Sequence, residues 1–223
     1  MKIIEAKAEI LRPTPTPEAI DAIYRNIEIA GRTCYKSEDK ITPESSRKFV
    51  RSLIKHGHEA MIEHASMTVK FIVDRGVSHE IVRHRIASYA QESTRYCNYS
   101  QDKFGNELTF IEPCFWSDEY PSNSWHLMNQ WKLNMKHAED AYFEMLRMGA
   151  KPEEARSVLP NSLKTELIMT ASMREWRHFF KLRAAGETGK PHPQMIEVAV
   201  PLLKQCQKLM PELFDDIEIR EDL

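Results

Sequence analysis

The sequence predicts an α+β fold, and three observations carry that reading. Strand and helix signals alternate without a strict βαβ rhythm, no segment repeats, and 223 residues suit a single domain, 1–223, with a real core. Hydrophobic residues make up 42% and charged residues 29%, which excludes a disordered or fibrous chain.

Residues 2–10 read as a first strand, ended by RPTPTP at 12–17 because proline donates nothing to a ladder. Thr16 then caps a helix with Pro17 at its first position, and Ile20, Ile23, Tyr24 and Ile27 recur at helical spacing as far as Gly31. Thr42 and Pro43 repeat the start signal, Phe49, Leu53 and Ile54 supply an apolar stripe, and Gly57 ends the helix. Met67, Val69, Phe71 and Val73 alternate with Thr68, Lys70 and Ile72, a strand with one buried face. Asp74 caps a helix over roughly 77–86 that carries Arg83, His84 and Arg85 near its C-terminal end.

Strand material follows near 93–99 and at 108–112, then a long helix from about Ser122 to Met148, ended by Gly149. Pro152 opens a shorter helix that stops before Pro160, and residues 163–171 read as a strand. Ser172-Met-Arg-Glu175 fits a capping box, with hydroxyl and carboxylate satisfying reciprocal backbone donors. Trp176, Phe179 and Phe180 follow as core anchors, and Pro193 to Met210 forms the last long helix.

A net charge of −2 argues against a generally basic nucleic-acid binder, so any anion site must be local. No apolar run is long enough to span a bilayer, and MKIIEAKAEI lacks the apolar core of a signal peptide. The expectation is a cytoplasmic protein with neither nucleic acid nor membrane as partner. Cys34, Cys97, Cys114 and Cys206 are scattered and read as reduced thiols, without a disulfide frame or zinc ribbon. The 7 glycines form neither GxGxxG nor GxxxxGK[ST], so side chains rather than a glycine-rich loop must hold any phosphate.

One stretch concentrates such side chains: RHRIASYAQESTRY, Arg83 to Tyr96. Arginine suits the task because its planar, permanent charge donates two parallel hydrogen bonds to a phosphate or an imide edge. On a helix, Arg83 to Arg85 splay over about 200°, so they would serve different ligands. In an extended segment Ser93, Arg95 and Cys97 would share a face. Composition alone favours a capped helix end with surface ion pairs to Glu80 and Glu92. A rival from another class is a nonenzymatic nucleotide- or RNA-binding module that uses these arginines as a phosphate clamp.

The stretch resembles the signature of the flavin-dependent thymidylate synthases, RHRxxSxNExSxRY. Arg83, His84, Arg85, Ser88, Ser93, Arg95 and Tyr96 match it. HGHEAMIEH (56–64) is similar to the family's HGHExxxEH segment, EARSVLP (154–160) to its ARxxLP segment, and MREWRHFFKLR (173–183) to its downstream helix. The resemblance covers residues near 31 to 200. Ala90 and Gln91 depart from the usual Asn-Glu, with Glu92 adjacent, and Ser172 and His178 stand where other members carry amide side chains.

The resemblance implies a single mixed α/β domain, a central antiparallel or mixed sheet with long flanking helices, and a homotetramer with active sites at subunit interfaces. It implies reductive methylation of dUMP to dTMP, with FAD as cofactor and with methylenetetrahydrofolate and NADPH as co-substrates. No cysteine nucleophile is needed. By the same resemblance Arg183 activates the uracil imide. The flavin falls to His58, Arg83, His84, Arg85, Gln91, Ser172, Met173, Arg174 and His178. The nucleotide falls to Glu80, Ile81, Val82, Arg83, Gln91, Glu92, Ser93, Thr94, Arg95, Arg156 and Arg183.

His56, His58 and His64, with Glu59 and Glu63, offer metal-ligand atoms, but without a strong ligand spacing they read as helix-capping or flavin-contacting groups and no metal is expected. Cys114, in EPCFW, has no basic partner close in sequence and reads as a buried, inert thiol. Trp125 and Trp131 read as core residues of the long helix.

Overall fold

The computed structural model describes residues 1–116 and 123–220. Among them the strands are β1 (Lys2–Ile4), β2 (Lys7–Arg12), β3 (Ser66–Asp74), β4 (Ala87–Gln91), β5 (Thr109–Ile111) and β6 (Lys164–Ser172). The α-helices are α1 (Pro17–Tyr35), α2 (Ser45–Lys55), α3 (Arg75–Ile81), α4 (Ser124–Arg147), α5 (Pro152–Ala155), α6 (Met173–Arg183), α7 (Pro193–Leu209) and α8 (Pro211–Phe214). The fold is mixed α and β, as the sequence predicts. The chain forms two compact units: Met1–Lys7 with Ile72–Arg83 and Ala90–Leu167, and Ala8–Phe71 with His84–Tyr89 and Ile168–Leu223.

In the first unit β1 lies parallel to β5, Lys2 opposite Thr109 and Ile4 opposite Ile111, and Phe110 bridges antiparallel to Leu163. Tyr99, Leu108, Phe110, Trp131, Met135 and Tyr142 form its core. Asp74 caps α3 through the Val77 amide at 2.7 Å.

The four-stranded sheet runs β2-β3-β6-β4, and the Thr68 and Thr170 hydroxyls, both in the second unit, meet across β3 and β6 at 2.9 Å. β3 buries Met67, Val69, Phe71 and Val73, the alternation the sequence shows. Trp176, Phe179 and Phe180 of α6 are fully buried, and the Trp176 indole donates to the Met67 carbonyl at 2.9 Å. That bond ties α6 to β3 while its ring fills the core beside Phe71.

Several boundaries differ from the sequence reading. The first strand is two, because β1 and β2 pair with different partners. α1 runs past Gly31 to Tyr35: a β-carbon at Gly31 would stand 2.6 Å from the Phe49 ring, so this glycine admits α2 rather than ending α1. α2 begins at Ser45, whose hydroxyl accepts from the Thr42 amide at 2.9 Å. α3 ends at Ile81, so Arg83 to Arg85 follow the helix instead of riding on it. The Arg83 amide already reaches back only three residues, to the Glu80 carbonyl at 3.3 Å.

The fourth strand lies at 87–91 rather than 93–99. Beyond Glu92, whose amide donates to the Glu166 carbonyl at 2.9 Å, the chain turns: the Tyr96 and Cys97 amides both donate to the Ser93 carbonyl. Ser93, Arg95 and Cys97 therefore share no extended face. The expected start of the long helix at Ser122 lies outside the described residues.

Candidate active site

In the first unit, Gln91 closes β4 and its amide donates to the Ser78 hydroxyl at 2.9 Å and the Thr165 hydroxyl at 3.3 Å. Glu92 accepts from Lys164 Nζ and from the Tyr99 hydroxyl, each at 2.9 Å. Protein partners thus hold both side chains of the Gln91-Glu92 pair. Arg95, exposed, pairs with Glu153 at 2.9 Å, and Arg156, also exposed, donates to the buried Thr94 hydroxyl at 3.4 Å. The Ser93 hydroxyl accepts from the Arg95 amide at 3.3 Å. Glu80 and Ile81 close α3, Ile81 with its side chain in the core, and Val82 and Arg83 follow in the turn.

In the second unit, Ser172 and Met173 join β6 to α6. The Met173 side chain is buried and its amide donates to the Ala65 carbonyl at 2.8 Å. Arg174 is exposed and pairs with Glu63 at 2.6 Å. His58 is exposed, its ring 6.0 Å from that of His56, at the start of the 3-10 turn Glu59–His64. Arg85 is exposed.

His84 is the buried member of the RHR triplet. Its Nδ1 lies 3.2 Å from Glu175 Oε1 and its Nε2 lies 3.2 Å from Arg183 Nε. Phe179 and His178 flank the ring at centroid distances of 5.0 and 5.6 Å, and the Tyr89 hydroxyl donates to the His84 carbonyl at 2.6 Å. Burial pushes the Glu175 carboxyl above its ordinary value, with His178 acting in the opposite sense, and burial pushes the Tyr89 hydroxyl up to about 12.

Glu175 is the residue that sequence reasoning assigned elsewhere. Half of the capping box forms, the Glu175 amide donating to the Ser172 hydroxyl at 3.3 Å, but the carboxylate bonds His84 instead of returning to the backbone. A carboxylate at a helix's third position followed by an aromatic core run is compatible with either use, and only tertiary contact separates them. Arg177 was also unassigned: it is buried and makes a bidentate pair with Asp216, both bonds at 2.7 Å, besides bonding the Leu213 carbonyl and Glu59 at 3.4 Å.

Cys114 is exposed in a turn after β5, not buried as expected, whereas Cys206 is buried and its thiol is pushed up to about 12. Trp131 is in the core, donating to Ser162 at 3.1 Å, but Trp125 is exposed because it sits in the first turn of α4, away from the buried stripe Trp131, Met135, Glu139 and Tyr142. Among the described residues, His84, Glu175 and His178 bring ligand-type atoms within 4.8 Å of one another. Both ring nitrogens of His84 face protein partners, one of them a guanidinium that would repel a cation, so Glu175, His84 and Arg183 read as a hydrogen-bonded chain.

Residues 18–212 match the family described as thymidylate synthase complementing protein, Thy1. The chain belongs to the Thy1 family. Its relatives include the flavin-dependent thymidylate synthase of Geobacter sulfurreducens, 31% identical over 94% of this chain and 86% of that protein. That of Pyrococcus furiosus is 32% identical over 80% of this chain and 69% of that protein. A likeness of fold extends to the UMP/dUMP methylase PolB from Streptomyces cacaoi, solved with 5-Br dUMP, with a TM-score of 0.76, 23% identity and 96% of each chain covered.

The donor set of this Thy1 chain fits anionic ligands such as a flavin dinucleotide and a nucleotide. Among the described residues the exposed guanidinium groups of Arg83 and Arg85 have no side-chain hydrogen bond or ion pair; Arg95 pairs with exposed Glu153, and exposed Arg174 pairs with Glu63 and, at 3.7 Å, with part-buried Glu59, pairs a phosphate can compete for.

Proposed function

We propose that this protein is a flavin-dependent thymidylate synthase. It converts dUMP to dTMP with 5,10-methylenetetrahydrofolate as one-carbon donor and NADPH as the reductant of bound FAD, without a cysteine nucleophile. The Thy1 match over residues 18–212, which includes RHRIASYAQESTRY, carries the reading.

Arg95 and Arg156, with Ser93 and the Gln91–Thr94 backbone, hold the nucleotide phosphate. Arg95 releases Glu153 to do so, at a cost of no more than about 1 kcal/mol for an exposed ion pair. Arg183 donates to the uracil imide and stabilises the negative charge that activates the ring for attack, as an oxyanion hole does. Arg83, Arg85, His58, Arg174 and His178 bind and orient the flavin, which supplies the hydride that completes the methyl group. Cys206 does not serve as a nucleophile, because its buried thiol stays protonated at neutral pH. The enzyme works in the cytoplasm as a homotetramer with active sites between subunits.

The purified protein should be yellow and should release tritium from C5-labelled dUMP only when methylenetetrahydrofolate and NADPH are both present. A colourless protein that releases none overturns the proposal, and salt-sensitive binding to polynucleotide would then favour the phosphate-clamp reading.

A further inference from the structure

We propose that Glu175 is a positioning residue for Arg183, acting through the imidazole of His84. The proposal rests on the role given to Arg183 above.

A guanidinium has donors and no acceptor. The contact between Arg183 Nε and His84 Nε2 at 3.2 Å therefore requires the lone pair on Nε2, which leaves the proton of the neutral ring on Nδ1. That proton points at Glu175 Oε1, 3.2 Å away. The carboxylate, which can accept but not donate while ionised, selects the single tautomer in which the imidazole can receive Arg183.

Glu175 and Arg183 stand in the first and last turns of α6, separated by about 12 Å of helical rise, too far for a direct pair. The imidazole spans the gap. His84 is held on every side that matters for this: Phe179 and His178 flank its ring, and Tyr89 fixes its carbonyl. The ring therefore cannot turn over to exchange its nitrogens without losing both partners. With the proton on Nε2, two donors would face each other and this contact would be lost. A carboxylate that accepts from the far nitrogen of a metal-bound histidine fixes its tautomer by the same logic; here the oriented group is an arginine.

Imidazole nitrogen chemical shifts in the histidine-labelled holoenzyme test this directly, with the His84 signals, among those of 9 histidines, identified by their absence from His84→Asn. The wild type should show the proton on Nδ1 and a bare Nε2. In Glu175→Ala the signals should move towards a mixture of tautomers, and kcat for tritium release should fall about 10- to 100-fold, with flavin retained and KM for dUMP little changed. Glu175→Gln should restore both, because its amide oxygen still accepts from Nδ1. A bare Nδ1 in an active wild-type enzyme, a doubly protonated ring, or an unchanged kcat in Glu175→Ala overturns the proposal. A wild type that never releases tritium overturns the reaction reading instead. Should Glu175→Ala fail to fold, the wild-type tautomer and Glu175→Gln still decide.

Discussion

Arg177 and Arg183 lie on the same helix and meet opposite surroundings. Arg177 is buried with every nitrogen engaged by oxygen: the Asp216 carboxylate, the Leu213 carbonyl and Glu59. Its work is structural, tying α6 to the chain after α8. Arg183 is only partly buried, and its Nε donates to an imidazole nitrogen, His84 Nε2, at 3.2 Å. A buried guanidinium with every nitrogen bonded to oxygen stabilises a fold, whereas a part-buried one that donates to an imidazole stands where a ligand can reach it.

The carboxylates divide in the same way. Arg177 holds the Asp216 carboxyl below its ordinary value, whereas burial raises that of Glu175. Asp216 thus adds stability near neutral pH and Glu175 subtracts from it. A carboxylate kept where it costs stability is the expected mark of a functional position.

Exchanging the two arginines' roles by mutation would break this contrast. The largest effect belongs to Arg183→Ala, which should abolish tritium release while the protein stays yellow and melts as the wild type does, checked by assay, visible spectrum and thermal unfolding. Arg177→Ala should do the reverse, costing about 3 kcal/mol of stability, or about 10 °C in Tm, since it removes a buried side chain and leaves the buried Leu213 carbonyl without its donor.

The carboxylates sharpen the contrast through pH. Asp216 contributes stability above about pH 4 that is lost as pH falls through its lowered folded value, so Asp216→Asn should flatten the acid side of a denaturant-melt series. Glu175 has the opposite sign: its contribution is present below about pH 4 and is lost as pH rises through its raised folded value. Glu175→Gln should therefore equal or exceed the wild type's stability near pH 7 in the same melts. The smallest effect is expected of Cys114→Ala, which should leave turnover unchanged although the thiol is exposed.

Much of this was legible in the chain. Period-2 burial in β3, the Thr16-Pro17 start of α1 and the Trp176-Phe179-Phe180 anchors are local patterns, and they survive folding because the period decides which face meets the core. The end of α3 was not legible, since nothing in Val82-Arg83-His84 breaks a helix; there the chain leaves so that His84 can be buried. Gly31 misled for a related reason, because a helix-ending glycine and one that makes room for a neighbouring ring look alike until Phe49 is in place.

The sequence by itself determined the family, because the motifs that carry it have a spacing fixed by the covalent chain. Tertiary structure alone decided the roles of their arginines relative to one another. Arg174, Arg177 and Arg183 are equal cations in the chain; Glu63, Asp216 and His84, each remote in sequence, make one a surface pair, one a clamp and one a donor to an imidazole. An electrostatic environment is a sum over neighbours in space, and α6 meets those neighbours only when the chain folds.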